Sequence, residues 1–294
     1  TSVTMNAASM ENSGFEFSAT YRNRDHAFKY DISANLSTLK NKVTSLGIGK
    51  DSYISGAYAT YVGQEIGQFY GWVYEGIART QADLDNHATQ QGVNVGDCLY
   101  KDISGPEGTP DGVIDAYDQT VLGSGLPKVN FGLSTHMEYK GFDLNISTYG
   151  VLNYHVSDDI YNSLNSCYGY GNKEVGMLDA NRWSEDGTYL SSVPRTYAAN
   201  NATLAWNDLF SSRKIQNAAY WKIANVELGY NFPDKWFGGY VSGVRLYVSA
   251  QNLYTFTGYH GYNVDYAGGT FTPGYNFCSF PSARTFMCGL HFTF

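Results

Sequence analysis

The feature that most constrains this chain is a two-residue alternation of apolar and polar side chains, repeated in segments of about ten residues. In 28–36, Phe28, Tyr30, Ile32, Ala34 and Leu36 alternate with Lys29, Asp31, Ser33 and Asn35. The preceding segment sets Phe15, Phe17, Ala19 and Tyr21 against Glu16, Ser18, Thr20 and Arg22, with a tight turn expected at Asn23-Arg24-Asp25. A second pair sets Val129, Phe131, Leu133 and Thr135 against Asn130, Ser134 and His136. After Tyr139-Lys140-Gly141 it continues with Phe142, Leu144, Ile146 and Thr148 against Asp143, Asn145 and Ser147. A third puts Ala224, Val226, Leu228, Tyr230 and Phe232 on one face of 220–232, and Val244, Leu246, Val248 and Ala250 on one face of 244–252. In 284–294, Phe286, Cys288, Leu290, Phe292 and Phe294 alternate with Thr285, Met287, Gly289, His291 and Thr293. Successive side chains of a strand point to opposite faces, so each segment reads as a strand with one apolar and one polar side.

The stretches between these pairs are of a different kind. Residues 50–127, 155–215 and 254–283 are long, rich in Gly, Asn, Asp and Tyr, and weakly periodic, with short helices expected near 81–90 and 176–183. Soluble sandwiches keep their connections short, whereas outer-membrane barrels alternate short turns with long extracellular loops. Charged residues are only 16% of the chain, against the quarter usual in soluble domains, while Tyr (26) and Gly (32) are abundant. No run of about 18 apolar residues is present, so a membrane-spanning form has to be a barrel. The chain ends Leu290-His291-Phe292-Thr293-Phe294, an aromatic at the tip of an amphipathic strand that resembles the signal read by barrel-assembly machinery. Thr1-Ser2-Val3-Thr4-Met5 has no signal-peptide character, so a mature form or a fragment is expected.

A net charge of −8 without a basic cluster gives no support to a nucleic-acid groove or an anionic-lipid patch. The six histidines are dispersed, and no nucleophile elbow, H-E-x-x-H helix or phosphate loop occurs, so no enzyme is expected. His136 and His291 fall in the polar register of their strands. Cys98, Cys167, Cys278 and Cys288 lie far apart and read as small buried or lipid-facing side chains, with a Cys98–Cys167 loop disulfide as the alternative. Asp111, Asp115 and Asp118 occupy positions 5, 9 and 12 of an EF-hand-like loop, with Gly112 at its sharp turn. Glu107 and Thr109 fill positions 1 and 3, and Asp102 could replace a missing ligand. Calcium or magnesium in the 102–118 loop is one reading, and an ordinary solvated acidic turn is the other. The loop aromatics Trp72, Tyr74, Tyr168, Tyr170, Trp183, Tyr259, Tyr262 and Tyr266 either stack on sugar rings or peptide side chains, or pack the loops together.

Several segments, in order, resemble the SusC/RagA-like TonB-dependent transporters of Bacteroidetes. Gly63-Gln64-Glu65-Ile66-Gly67-Gln68-Phe69-Tyr70-Gly71-Trp72 is similar to the family's G-Q-P-I-G-x-F-Y-G loop, and Glu75-Gly76-Ile77 stands where D-G-I is usual. Asp111-Gly112-Val113-Ile114-Asp115 with Asp118, Gly123 to Gly132 with Pro127, and Asn181-Arg182-Trp183 match further family stretches. The most extensive likeness is in 220–233, in 244–259 with Gln251-Asn252-Leu253-Tyr254, and in Phe280-Pro281-Ser282-Ala283-Arg284-Thr285-Phe286. The resemblance covers nearly the whole chain and implies an all-β fold. Residues 1–294 would be the C-terminal portion of an antiparallel transmembrane barrel of about 22 strands, with 284–294 as its closing strand. The family's plug domain and TonB-contacting segment have no counterpart in this sequence. The resemblance further implies active import of bulky oligosaccharides or oligopeptides across the bacterial outer membrane. TonB-ExbB-ExbD would act through the missing N-terminal region, and a SusD-like lipoprotein would be the partner. A passive porin or adhesin barrel and a soluble all-β carbohydrate-binding module are the alternatives. The barrel readings place Leu228, Leu246, Leu290 and Phe292 against lipid.

Overall fold

The computed structural model describes all residues except 1–7, 48, 168–171, 176–182, 184–192, 197–205, 238–240, 266–267 and 278. The second expected helix, at 176–183, lies outside these residues except for Trp183; the first is the short helix Gln81–Asp85.

Seven long strands form one antiparallel meander: β1 Glu16–Asn23, β2 Phe28–Thr38, β3 Val129–Tyr139, β4 Phe142–Leu152, β5 Tyr220–Phe232, β6 Gly243–Thr257 and β7 Thr285–Thr293. Each pairs with its sequence neighbour, so short connections gather at one end of the sheet and long ones at the other. The β3–β4 turn is the two-residue Lys140-Gly141, both with positive φ (48° and 86°), the geometry whose twist matches the flanking strands. The first turn begins at Arg24, one residue later than expected, because Asn23 still pairs with Tyr30.

Alternation sets the register. Tyr21, Ile32, Thr135, Ile146, Val226, Ala250 and Phe286 form one row across all seven strands. Tyr139, Phe142, Tyr230, Leu246 and Leu290 form another. Leu228, Leu246, Leu290 and Phe292 are all exposed on this apolar face. Aromatic rings concentrate at both ends of it. Phe28 meets Tyr139 and Phe142 meets Tyr230 near the short turns, while Trp221 stacks on Phe256 near the long loops.

Two expectations need correction here. The register shifts between Ile223 and Asn225, so Ala224 is an extra residue in β5 rather than a member of the apolar row. Trp221 and Ile223 join that face instead, opposite Phe256 and Tyr254. β6 accommodates the bulge with Asn252 at φ 51° and then continues pairing to Thr257, beyond the expected end at 252.

The buried apolar core lies in the long connections, where one cluster holds Val151, Tyr154, Val156, Ala218, Tyr220, Tyr259 and Val264, and another centres on Cys98, Tyr100 and Ile114. The 39–128 connection carries a four-stranded sheet of Ser52–Ser55, Tyr58–Tyr61, Gln68–Trp72 and Gln119–Gly123. Neighbouring connections are laced to it. Trp72 N–H donates to the Phe210 carbonyl at 3.2 Å, and a Cβ on Gly71 would sit 2.1 Å from that same oxygen. Only glycine permits this approach, which accounts for the residue that ends the 63–71 motif.

Candidate functional site

The polar face of the sheet divides into a sealed end and an open one. Near the short turns Arg245 lies between two carboxylates, donating through Nε to Asp143 at 3.0 Å and through Nη2 to Glu227 at 2.7 Å. Asn231 donates to Asp143 at 2.9 Å, and the His136 ring lies 2.7 Å from Asn145 Oδ1 and 2.8 Å from Glu138 Oε1. These hydrogen bonds and ion pairs tie the side chains to one another, so this end acts as a stiff wall.

At the long-loop end a cavity of about 330 Å³ opens between β5, β6 and the 258–284 connection. Lys222 forms its floor. The ammonium donates to Asp265 Oδ2 at 2.6 Å and lies 5.8 Å from the centre of the Tyr149 ring, whose hydroxyl donates to Asp265 Oδ1 at 3.2 Å. Asp265 is aimed by a local turn in which its N–H donates to Asn263 Oδ1 at 2.9 Å. Asn252, held in the left-handed region by the bulge, donates its amide to the Ala283 carbonyl at 2.9 Å and so fixes the segment that carries Arg284. Tyr262, 65% exposed, and Arg284 stand at the mouth. Arg284 has no ion-pair partner among the described residues, whereas Lys222 is paired and almost fully buried. A larger cavity of about 510 Å³ lies among Leu46, Tyr53, Tyr58 and Phe271 in the loop layer, away from the polar face of the sheet.

The aromatics singled out from sequence do not converge. Trp72 donates its indole N–H to the Asp115 carbonyl at 3.0 Å, and both Trp72 and Tyr74 pack on Tyr100. Tyr259 is buried, its hydroxyl donating to Asp158 and the Asn276 amide lying 2.8 Å away; burial and that carboxylate push its pKa up, so it remains a donor. The Trp183 N–H donates to Val193 at 3.0 Å, and its ring covers Gly96. Of those among the described residues, Tyr262 alone reaches the cavity on the polar face. Tyr168, Tyr170 and Tyr266 lie outside the described residues.

The acidic loop is organised by its own backbone. Asp118 is fully buried and accepts from Ile103 N (2.8 Å), Ser104 N (3.1 Å) and Asp115 N (2.8 Å). Asp115 accepts from Tyr117 N, Asp111 from Val113 N, and Asp102 from Gly112 N. Among the described residues, no three His, Cys, Asp or Glu side chains are grouped to hold a metal ion. Cys98 and Cys167 are both buried, and Cys98 keeps its thiol, so the alternative Cys98–Cys167 disulfide is not formed; burial pushes the Cys98 thiol up to about 12. Cys278 lies outside the described residues.

The cavity-lining side chains Lys222, Asp265 and Arg284 were not singled out from sequence. Arg284 stands in the Pro281 to Phe286 stretch that carries the family resemblance, which was the available signal. The Lys222–Asp265 pairing crosses 43 positions and has no local signature.

No family model matches the sequence. Among curated proteins, it is 30% identical over 308 residues to TonB-dependent receptor P3 of Formosa agariphila, covering 98% of this chain and 29% of that protein. TonB-dependent receptor P26 of the same organism is 28% identical over 98% of this chain and 30% of its own length. TonB-dependent receptor SusC of Bacteroides thetaiotaomicron is 26% identical over 99% of this chain and 27% of its own length. The chain therefore spans about three-tenths of the length of these relatives. Among solved structures, the RagAB peptide transporter superposes with a TM-score of 0.76 at 21% identity, over 97% of this chain and 29% of that one. The RagAB peptide importer in its open-open state gives 0.75 at 21% identity, over 98% and 29%. The all-β fold is thus that of the TonB-dependent transporter barrel.

Proposed function

The chain is a homologue of the SusC-type TonB-dependent receptors, and from that premise we propose that it forms the C-terminal part of the transmembrane barrel of an outer-membrane nutrient importer. The observation that carries this reading is the apolar face running across seven strands between two sets of aromatics. In water such a face would be strongly unfavourable; in a bilayer it is the expected surface. From Tyr230 to Trp221 the strand covers roughly 30 Å at about 3.3 Å per residue. At a tilt of about 40° that is roughly 23 Å along the membrane normal, close to the apolar band of bacterial barrels, about 25 Å tall.

The long connections then form the extracellular layer and the polar face lines the lumen. Bulky nutrients, oligosaccharide or oligopeptide, are the cargo class in this reading. Energy comes from TonB-ExbB-ExbD acting on a region outside this chain, and a SusD-like lipoprotein covers the loops. The relatives named TonB-dependent receptors favour this over a passive porin, and the exposed apolar rows argue against a soluble module. Uptake of the cognate nutrient by cells carrying the full-length protein, with and without tonB, is the test. Import should vanish without TonB; import that persists would make the protein a passive pore.

A further inference from the structure

The geometry points to the cavity between Lys222, Tyr262 and Arg284 as a binding subsite for a sugar residue that carries a carboxylate. It rests on the importer reading and names the substrate class for one place in the lumen wall.

Three observations on the cavity carry it. The first is charge. Lys222 and Asp265 neutralise each other at 2.6 Å, which leaves the Arg284 guanidinium at the mouth as the uncompensated charge among the described lining residues. A guanidinium presents a planar fork of donors that matches a carboxylate, so an anionic group gains there what a neutral ligand cannot. The second is the chemistry of the lining. Asn252, Thr255 and Ser282 offer amide and hydroxyl groups, and Val264 is the one aliphatic side chain in the cavity wall among the described residues. These groups can both donate and accept, as the hydroxyls of a sugar ring require. Tyr262 adds an exposed aromatic face on which the C–H face of a sugar ring can lie. The third is size and rigidity. A volume of about 330 Å³ is at the lower end for small-molecule sites (about 300–1,000 Å³), so a single residue of a longer chain enters. Lys222, Asn252 and Thr255 stand on strands, and Asp265 and Arg284 are each held by a hydrogen-bonded neighbour, so the site is formed before the ligand arrives.

The test is equilibrium binding of trigalacturonate, maltotriose and trialanine to the full-length protein in detergent, as wild type, Arg284→Gln, Arg284→Lys and Tyr262→Ala. Heat-modifiable gel mobility reports that each variant is folded. Wild type should prefer trigalacturonate over the other two. Arg284→Gln should weaken trigalacturonate by about tenfold or more and remove that preference, Arg284→Lys should retain part of it, and Tyr262→Ala should weaken both sugars. Trigalacturonate binding that is absent in wild type, or unchanged in folded Arg284→Gln, overturns the subsite. So does trialanine binding tighter than either sugar and losing affinity in Arg284→Gln, which would make this a site for a peptide carboxylate. A protein that resides in the outer membrane and imports, yet binds trigalacturonate equally as Arg284→Gln, overturns the subsite alone. A protein that never enters the membrane overturns the importer reading as well.

Discussion

Asp118 takes three backbone N–H groups into two carboxylate oxygens at zero exposure, and that arrangement decides how the acidic loop is held. Asp118→Ala would leave those donors buried without acceptors, at about 1–3 kcal/mol for each group that water cannot reach. The 102–118 loop of this variant is expected to be cut rapidly by protease under conditions where the wild type is not. Chelator gives the complementary reading. Backbone N–H groups engage Asp102, Asp111, Asp115 and Asp118, with Asp102 Oδ1 left unpartnered, so EDTA should leave the cleavage pattern unchanged, and protection that disappears on chelation and returns with calcium would assign the loop an ion. Cys98 makes a second residue-scale prediction. With its thiol pushed to about 12 by burial, roughly one molecule in ten thousand is thiolate at pH 8, and alkylation should therefore require unfolding. Rapid labelling of Cys98 in the folded protein would show that the loop core opens.

The strand faces give the sharpest element-scale prediction, because neighbouring residues have opposite fates. Ile146→Arg places a cation on the apolar face midway between the aromatic edges and should cost about 2–4 kcal/mol, with loss of assembled protein from the outer membrane, whereas Leu246→Arg, in the Tyr230 row at the aromatic edge, should cost about 0–1 kcal/mol. Ser147→Arg, one residue along β4 on the polar face, should assemble normally. Equal yields from the three variants would mean that the register is misassigned. This register was legible in the sequence because period two is a local property, visible in any six residues of β2 or β7. The bulge was not. Alternation through 220–232 can be read in either phase on each side of Ala224, and only pairing with β4 and β6 shows where the phase slips. The four-stranded sheet within 39–128 was equally hidden, since its strands have four or five residues, and Tyr58–Tyr61 is buried on both faces while Ser52–Ser55 is exposed on both. The cavity escaped for a related reason. Its members, Lys222, Asn252, Asp265 and Arg284, come from separate segments that only the folded connections bring together.

For the whole molecule, the antiparallel meander explains why one end is thin and the other thick. Every second connection returns to the same end, so long insertions accumulate there without disturbing the sheet. Those insertions pack as a layer with its own core, and on the polar face of the sheet they leave an open cavity beside the loops and a sealed ionic wall beside the short turns. The function proposed for the chain depends on which face meets lipid, and β6 allows that to be read directly. Single nitroxide labels at successive positions from Val244 to Gln251 would be scanned in reconstituted full-length protein for relaxation by oxygen, which partitions into lipid, and by an aqueous nickel chelate. The account predicts oxygen maxima at 246, 248 and 250, within the apolar band, and nickel maxima at 245, 247, 249 and 251. Nickel access at both sets, or the opposite phase, would contradict it.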